Sequence, residues 1–155
     1  MKRFCVILLG LALIVLSTAA RAVNCNVSAT PVAFGSYNVF NASPRDATGT
    51  ITVHCTNLVS LFVNYNIKLS KGLSGSYAPR QMANGANRLS YNLYTDATRL
   101  PVWGDGSAGT SFISNGFLVV LLGATVNHTV YGRVDALQNV AVGSYSDNIT
   151  VTLTF

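Results

Sequence analysis

The sequence predicts an all-β fold, a sandwich or a barrel, for the part of the chain that follows its first 22 residues. Apolar and polar residues alternate with a period of two in several short segments. Turn-forming clusters such as 71–76 and 83–87 separate those segments. No stretch after the first segment keeps a helical period for three turns. Several short strands with regular turns in about 130 residues are typical of β-sandwiches and β-barrels.

The first 22 residues have the pattern of a signal peptide. Lys2 and Arg3 precede an apolar run over residues 4–16, and the small residues of Ala20-Arg21-Ala22 fit a cleavage site. We expect the mature chain to begin at Val23, with cleavage after Ala20 as the alternative. The run is too short for a stable membrane span. The sequence therefore predicts an exported protein in which residues 23–155 form one domain.

The net charge of the mature chain argues against nucleic acid as a partner. Without Lys2, Arg3 and Arg21, the formal net charge of +5 falls to +2. The chain has no glutamate, and its five acidic residues are all aspartates. It offers no basic stripe for nucleic acid, and its few charges suit a structural module better than a charged catalytic cleft.

Seven segments are predicted as strands. They are residues 23–29, 50–55, 61–69, 88–94, 117–122, 129–134 and 148–155. The third is the most regular, because apolar side chains from Val63 to Leu69 alternate with polar ones. In the last, Ile149, Val151, Leu153 and Phe155 alternate with threonines, and the sequence stops within the strand.

Two cysteines remain once Cys5 leaves with the signal peptide. Cys25 shares the apolar face of the first strand, and Cys55 shares the apolar face of the second. Both thiols should face the interior of a protein in an oxidising compartment, so we predict a disulfide between them. No further ligands stand at the spacing of a zinc site, and no metal is expected.

The letters of residues 104–109 match the dinucleotide motif G-x-G-x-x-G. That motif needs a preceding parallel strand and a following helix that receives the pyrophosphate. Thr110-Ser111-Phe112 does not open a helix, so we expect a flexible hairpin loop and no cofactor.

A second cluster contains side chains that are common in sugar-binding or catalytic sites: Tyr94, Asp96, Arg99, Trp103 and Asp105. Two carboxylates nine residues apart are a weak signal for glycoside hydrolysis, since the sequence does not give their separation in space. We prefer a structural interpretation, in which Asp96 caps a turn and Trp103 packs at the edge of the sandwich.

The two histidines are the remaining candidates for catalytic residues. His54 lies on the solvent-facing side of its strand, and His128 is interpreted as lying beside a turn. Neither stands near a nucleophile in a recognisable pattern, so no catalytic residue is predicted. Four N-x-S/T sequons begin at Asn26, Asn41, Asn127 and Asn148, and we assign them no function.

Five segments together are similar to a known family. They are "CNVSATPVAFGSYN", "GTITVHCTN", "RQMANGANRLSYNLYTDATRLPVWGDG", "VYGRV" and "VGSYSDNITVTLTF". In this order they resemble the spore coat protein U domain, which pilins of archaic chaperone–usher pili in Gram-negative bacteria share. The resemblance extends from Cys25 to Phe155.

The resemblance implies an incomplete immunoglobulin-like β-sandwich that lacks its final strand. The resemblance also implies that a periplasmic chaperone would fill the open groove first and that a strand from another pilin subunit would replace it at an outer-membrane usher. The last strand would line that groove through Ile149, Val151, Leu153 and Phe155. The implied function is that of an exported structural subunit of a pilus or surface coat, which passes through the periplasm to the cell surface or fimbria.

The chain departs from the pattern of these pilins before its first mature cysteine, and this departure bears on the position of the subunit in a fibre. Only Val23 and Asn24 precede Cys25 after the expected cleavage, which is too short for a donor strand. We therefore expect a subunit that accepts a strand without donating one. The alternative function is a tip or surface binding module that acts through the apolar segments 58–62 and 112–117, unless these segments begin core strands.

Overall fold

The computed structural model describes residues 23–56, 61–120 and 123–155, and the predicted signal peptide lies outside them. Eight strands make up the described structure: β1 (Asn24–Thr30), β2 (Arg45–Thr56), β3 (Leu61–Leu69), β4 (Arg80–Asn84), β5 (Asn87–Tyr94), β6 (Ile113–Val119), β7 (Ala124–Val134) and β8 (Val151–Thr154). Within these ranges, no helix is long and apolar enough to cross a membrane.

The strands form two antiparallel sheets. The larger sheet has the order β1-β2-β7-β5-β4, and the smaller has the order β6-β3-β8. One core lies between them, and Ile51, Tyr65, Ile67, Trp103 and Val134 are among its most buried members. The predicted all-β fold is confirmed, and it is a sandwich of two sheets.

The alternation of apolar and polar residues explains which face of each long strand is directed toward the core. Ile51, Val53 and Cys55 of β2 are buried, whereas Thr52 and His54 between them point away from the core. Each buried aliphatic side chain contributes about 1.5–3 kcal/mol relative to exposure. A slip of one residue would expose the whole set, so the alternation also fixes the register of β2 against its neighbours.

Several predicted strand boundaries were wrong. Strand β2 begins at Arg45 instead of residue 50, β6 covers Ile113–Val119 instead of 117–122, β7 begins at Ala124 instead of residue 129, and β8 covers Val151–Thr154 instead of 148–155. Residues 121 and 122 lie outside the described residues. In β2 the inward position before Ile51 is Gly49, which breaks the apolar alternation although the backbone remains paired with β7.

Strand β4 was not predicted at all. Its inward positions are Arg80 and Met82, and a cation at a core position conceals the alternation. Arg80 is completely buried, and its guanidinium donates to the backbone oxygens of Ser70 and Trp103 and to Asn92 Oδ1 at 2.6–3.0 Å. It also stacks on Tyr77 at 4.9 Å from the ring centroid. The charge is therefore satisfied by dipoles and an aromatic face.

The predicted disulfide between Cys25 and Cys55 is confirmed. The two residues are direct register partners in the β1–β2 pair, so the bond ties an edge strand to the interior of its sheet. Closing a loop of this length stabilises a domain by about 3–4 kcal/mol on the chain-entropy model.

Candidate binding groove

A groove opens between the two sheets beside β8. One wall is the segment 31–39, which continues from β1, and the other is the segment 140–151, which leads into β8. The part of the chain that the structure describes places no strand between these two walls.

Two glycines allow the first wall to leave its own sheet. A Cβ atom on Gly49 would lie 2.7 Å from the Thr30 carbonyl oxygen. One on Gly132 would lie 2.6 Å from Val32 Cγ1 and 2.8 Å from Phe34 Cζ. Both glycines face the interior, so the chain after β1 can pass over the larger sheet at van der Waals distance.

The groove consists of two connected cavities. The Ile149 cavity has a volume of about 420 Å³ and the Val140 cavity about 760 Å³. Four side chains border both cavities: Val32, Phe34, Met82 and Tyr145. The Ile149 cavity is also lined by Ala29, Thr30, Pro31, Ile51, Leu69, Tyr91, Leu93, Val130, Ser146, Asp147, Asn148 and Val151. The Val140 cavity is also lined by Ala33, Gly35, Ser36, Tyr37, Val39, Leu89, Val134, Ala141, Val142, Gly143 and Ser144.

The lining of both cavities is chiefly apolar and reaches the core. The ring of Phe34 meets the ring of Tyr91 edge to face, with centroids 5.9 Å apart. Apolar side chains from an incoming segment are the occupants that such a lining favours. Among the described residues there is no cluster of histidine, cysteine or acidic side chains that could hold a metal ion.

Strand β8 is at the edge of its sheet. It pairs with β3 through Asn66–Leu69, and no described strand pairs with its other side. Ile149 and Val151 line the Ile149 cavity, and Leu153 is half-buried against the core. Phe155 is 61% exposed and lines neither cavity. Of the four predicted groove residues, Ile149 and Val151 therefore line the groove, whereas Leu153 and Phe155 lie outside both cavities.

Asp147 is a carboxylate on the groove-facing side of the second wall, and sequence reasoning missed it. Its Oδ1 accepts from the backbone N–H of Leu73 at 2.8 Å and of Asn148 at 2.7 Å. Its Oδ2 accepts from the Tyr91 hydroxyl at 2.7 Å. Burial raises the pKa of Tyr91, and the hydrogen bond to the Asp147 carboxylate raises it further. The hydroxyl therefore remains a donor.

The suspected catalytic cluster does not form a site. Trp103 is wholly buried in the core, where its Nε1 donates to the Ile67 carbonyl, so its predicted position at the sandwich edge was wrong. Asp96 caps a turn, as predicted, by accepting from Thr98 N at 2.8 Å. Hydrogen bonds from Thr98 lower the pKa of Asp96.

Asp105 and Arg99 are likewise held in structural contacts. Asp105 accepts from Ser107 N and Oγ within a loop, and a strand follows that loop instead of the helix that a dinucleotide site needs. Arg99 lies 3.3 Å from Asp46, which also forms a two-bond pair with Arg133. The hydrogen bonds from Arg133 lower the pKa of Asp46.

The histidines differ in their surroundings. His54 is on the outer face of β2, as predicted, and its Nδ1 is 2.8 Å from Thr125 Oγ1. His128 was wrongly interpreted as lying beside a turn, because it is within β7 and has the inward parity of Val130. Its Nε2 is 2.7 Å from the Tyr65 hydroxyl. Burial lowers the pKa of His128.

A patch of exposed apolar side chains lies on the outer face of the smaller sheet. Phe62 of β3 is 60% exposed and Leu118 of β6 is 56% exposed, and the two residues are register partners. Val120, immediately after β6, is also exposed. The predicted segments 58–62 and 112–117 thus belong in part to strands β3 and β6, while residues 58–60 lie outside the described residues.

Comparison with known proteins gives matches of three kinds, to a family model, to a protein sequence and to solved structures. The family model described as Spore Coat Protein U domain matches residues 11–152. Protein U of Myxococcus xanthus is 37% identical over 113 residues, which cover 70% of this chain and 59% of that protein. The chain therefore spans less than two thirds of the length of this relative.

The third kind of match is structural. One such match is a chain from the crystal structure of the CsuC–CsuE chaperone–tip adhesion subunit pre-assembly complex from archaic chaperone–usher Csu pili of Acinetobacter baumannii. The TM-score is 0.58 at 20% sequence identity, covering 86% of this chain and 40% of that chain. At this identity the likeness establishes the fold.

Proposed function

The chain belongs to the Spore Coat Protein U domain family, and from that premise we propose that it is an exported structural subunit of a chaperone–usher pilus or surface coat. The family is one of structural coat and pilin proteins, and the chain is not an enzyme. In the proposal the subunit is assembled when its groove accepts a donor β-strand. The observation that carries this function is an apolar groove beside the edge of β8 with which no described strand pairs.

The chemistry of strand addition fits this geometry. The donor backbone would hydrogen-bond to the free edge of β8, and every second side chain would enter the groove because side chains alternate along a strand. Ile149 and Val151 line the cavity that these side chains would enter, and Leu153 and Phe155 would be covered farther along the chain. Each large apolar side chain inserted contributes about 1.5–3 kcal/mol.

The proposed partners follow from the same groove. A periplasmic chaperone supplies the first strand, and another pilin subunit replaces it at an outer-membrane usher. The structural neighbour belongs to a chaperone–subunit complex, which supports a chaperone as partner. The disulfide supports export, because such bonds persist in oxidising compartments. In this proposal the subunit crosses the periplasm and ends on the cell surface or in a fimbria.

Co-expression with a pilus chaperone tests the proposal. Wild-type chain should co-purify with the chaperone as a soluble one-to-one complex. Val151→Asp should abolish the complex because it places a charge in the apolar groove, whereas the matched change Thr152→Asp, on the exposed face of β8, should preserve it. Equal recovery of the complex with both variants would contradict strand acceptance at this groove.

A second candidate function is a surface-binding module. The observation that favours it is the exposed pair of Phe62 and Leu118, because large apolar side chains that share an open face often mark an interaction site. The double variant Phe62→Ser, Leu118→Ser should reduce adhesion of cells to a hydrophobic surface while leaving the yield of the chaperone complex unchanged. Unchanged adhesion would remove this candidate.

A further inference from the structure

Four contacts hold the second wall of the groove before any strand arrives. Ser146 exchanges two backbone hydrogen bonds with Ala83 of β4, at 2.8 and 3.1 Å. Thr150 is bound to Ser70 through both its N–H and its carbonyl group. Tyr145 closes a loop within the wall by donating to the Ala141 carbonyl at 2.8 Å. The Asp147 carboxylate makes the fourth contact.

Asp147 is the wall side chain that joins both layers of the sandwich. Through Tyr91 it reaches β5 of the larger sheet, and through Leu73 N it reaches the turn that follows β3 of the smaller sheet. Gly72 of that turn leaves no room for a Cβ atom beside the carboxylate, so the turn and the wall are in direct contact. Ile149, which lines the groove, follows Asp147 by two residues.

We propose that Asp147 is the positioning residue of the acceptor groove. It holds residues 145–149 against β5 and the turn after β3, so that Ile149 and Val151 face the incoming strand at one end of the groove. The inference rests on the proposed function. It also explains why a carboxylate lies in a chiefly apolar groove: all three hydrogen bonds are internal, and a bonded carboxylate is tolerated where a free one is not.

The test uses complexes formed by co-refolding residues 23–155 with a labelled synthetic peptide of alternating apolar residues. Dissociation is followed by exchange with excess unlabelled peptide. Asp147→Ala should accelerate release about tenfold, since it removes the acceptor for three donors. Asp147→Asn keeps an oxygen for the two backbone N–H groups and should restore most of the retention. Tyr91→Phe removes one bond and should have an intermediate effect.

Two controls separate positioning from general destabilisation. Asp96→Ala removes a carboxylate that caps an exposed turn away from the groove, and it should leave the release rate unchanged. Peptides shortened at one end or at the other supply the second control. The difference between wild type and Asp147→Ala should vanish for the peptide that no longer fills the Ile149 cavity and persist for the peptide that still does.

The outcomes are distinguishable. Equal release from wild type and Asp147→Ala, or an acceleration that persists with both shortened peptides, would overturn the positioning role and leave the groove as an acceptor. Wild-type protein that retains no peptide would overturn the proposed function itself, and the positioning role with it.

Discussion

At the scale of single residues, Arg80 shows how this sandwich places polarity in its core. Its guanidinium is completely buried, and the partners it bonds directly are two carbonyl oxygens and an amide oxygen. Burial lowers the pKa of Arg80, since desolvation disfavours the charged form. The planar group joins the turn after β3, strand β5 and the segment around Trp103. One side chain therefore connects the two sheets.

Substitution of Arg80 should destabilise the folded protein more than the size of the side chain suggests. Arg80→Ala should lower the free energy of unfolding by about 3–5 kcal/mol, because the carbonyls of Ser70 and Trp103 lose buried partners. Arg80→Lys should rescue little, since a point-charge donor cannot reproduce the planar fork. Urea unfolding of a strand-complemented protein measures both. Arg88→Ala, at an exposed position, is the control and should stay within about 0.5 kcal/mol of wild type.

The burial of His128 predicts that the stability of the folded protein depends on pH. Its pKa in the folded protein is lowered by burial, so the unfolded chain binds more protons as the pH falls. Stability should therefore decrease as the pH drops below about 6.5, the ordinary value for histidine. Urea unfolding between pH 7.5 and the range in which aspartates titrate measures the slope. His128→Gln should flatten it, and an unchanged slope in that variant would assign the effect to other groups.

At the scale of elements, the sequence predicts the strands whose alternation is complete and misses those that carry a polar inward residue. Strand β3 was predicted with its observed bounds, because Val63, Tyr65 and Ile67 all face the core. Strand β4 was missed because Arg80 occupies an inward position. The early part of β7 was missed because inward His128 interrupts the apolar set. In each case a long-range hydrogen bond, which a local pattern does not contain, satisfies the polar group.

The candidate groove could be predicted in part for similar reasons. Strand alternation identifies Ile149 and Val151 as members of one face of the predicted segment 148–155, although only Val151 belongs to β8. The first wall could not be found this way, since the segment 31–39 is not a strand and its place depends on contacts with Gly49 and Gly132. The structural role of Asp147 was also hidden, because its partners Leu73 and Tyr91 are distant in sequence.

The disulfide of β1 should matter to the groove as well as to the domain. Replacing both Cys25 and Cys55 by serine should destabilise the complemented protein by roughly 2–5 kcal/mol. Since β1 leads directly into the first wall, amide exchange should accelerate in β1 and in residues 31–34 before it does in β3. Hydrogen exchange read by mass spectrometry tests this order, and uniform acceleration across both sheets would contradict it.

At the scale of the whole molecule, the proposed function makes stability and assembly depend on the same contacts of the groove. The described strands enclose a core on most sides, but the groove between residues 31–39 and 140–151 leaves apolar side chains open next to the edge of β8. An uncovered apolar edge favours aggregation, and a stability of only several kcal/mol is easily lost without its cover. A strand that arrives from another chain would complete the core and link the two subunits.

The incomplete sandwich is tested most directly by the free energy of unfolding of residues 23–155. It is measured with and without a donor strand of alternating apolar residues, which is fused after Phe155 through a short flexible linker. The fused strand is present at high effective concentration and should convert an aggregation-prone domain into a soluble monomer with cooperative unfolding. Aspartates at the groove-facing donor positions should abolish the gain, and aspartates at the alternate positions should preserve it. A monomer that is soluble, cooperative and equally stable without the fused strand would contradict the incomplete sandwich.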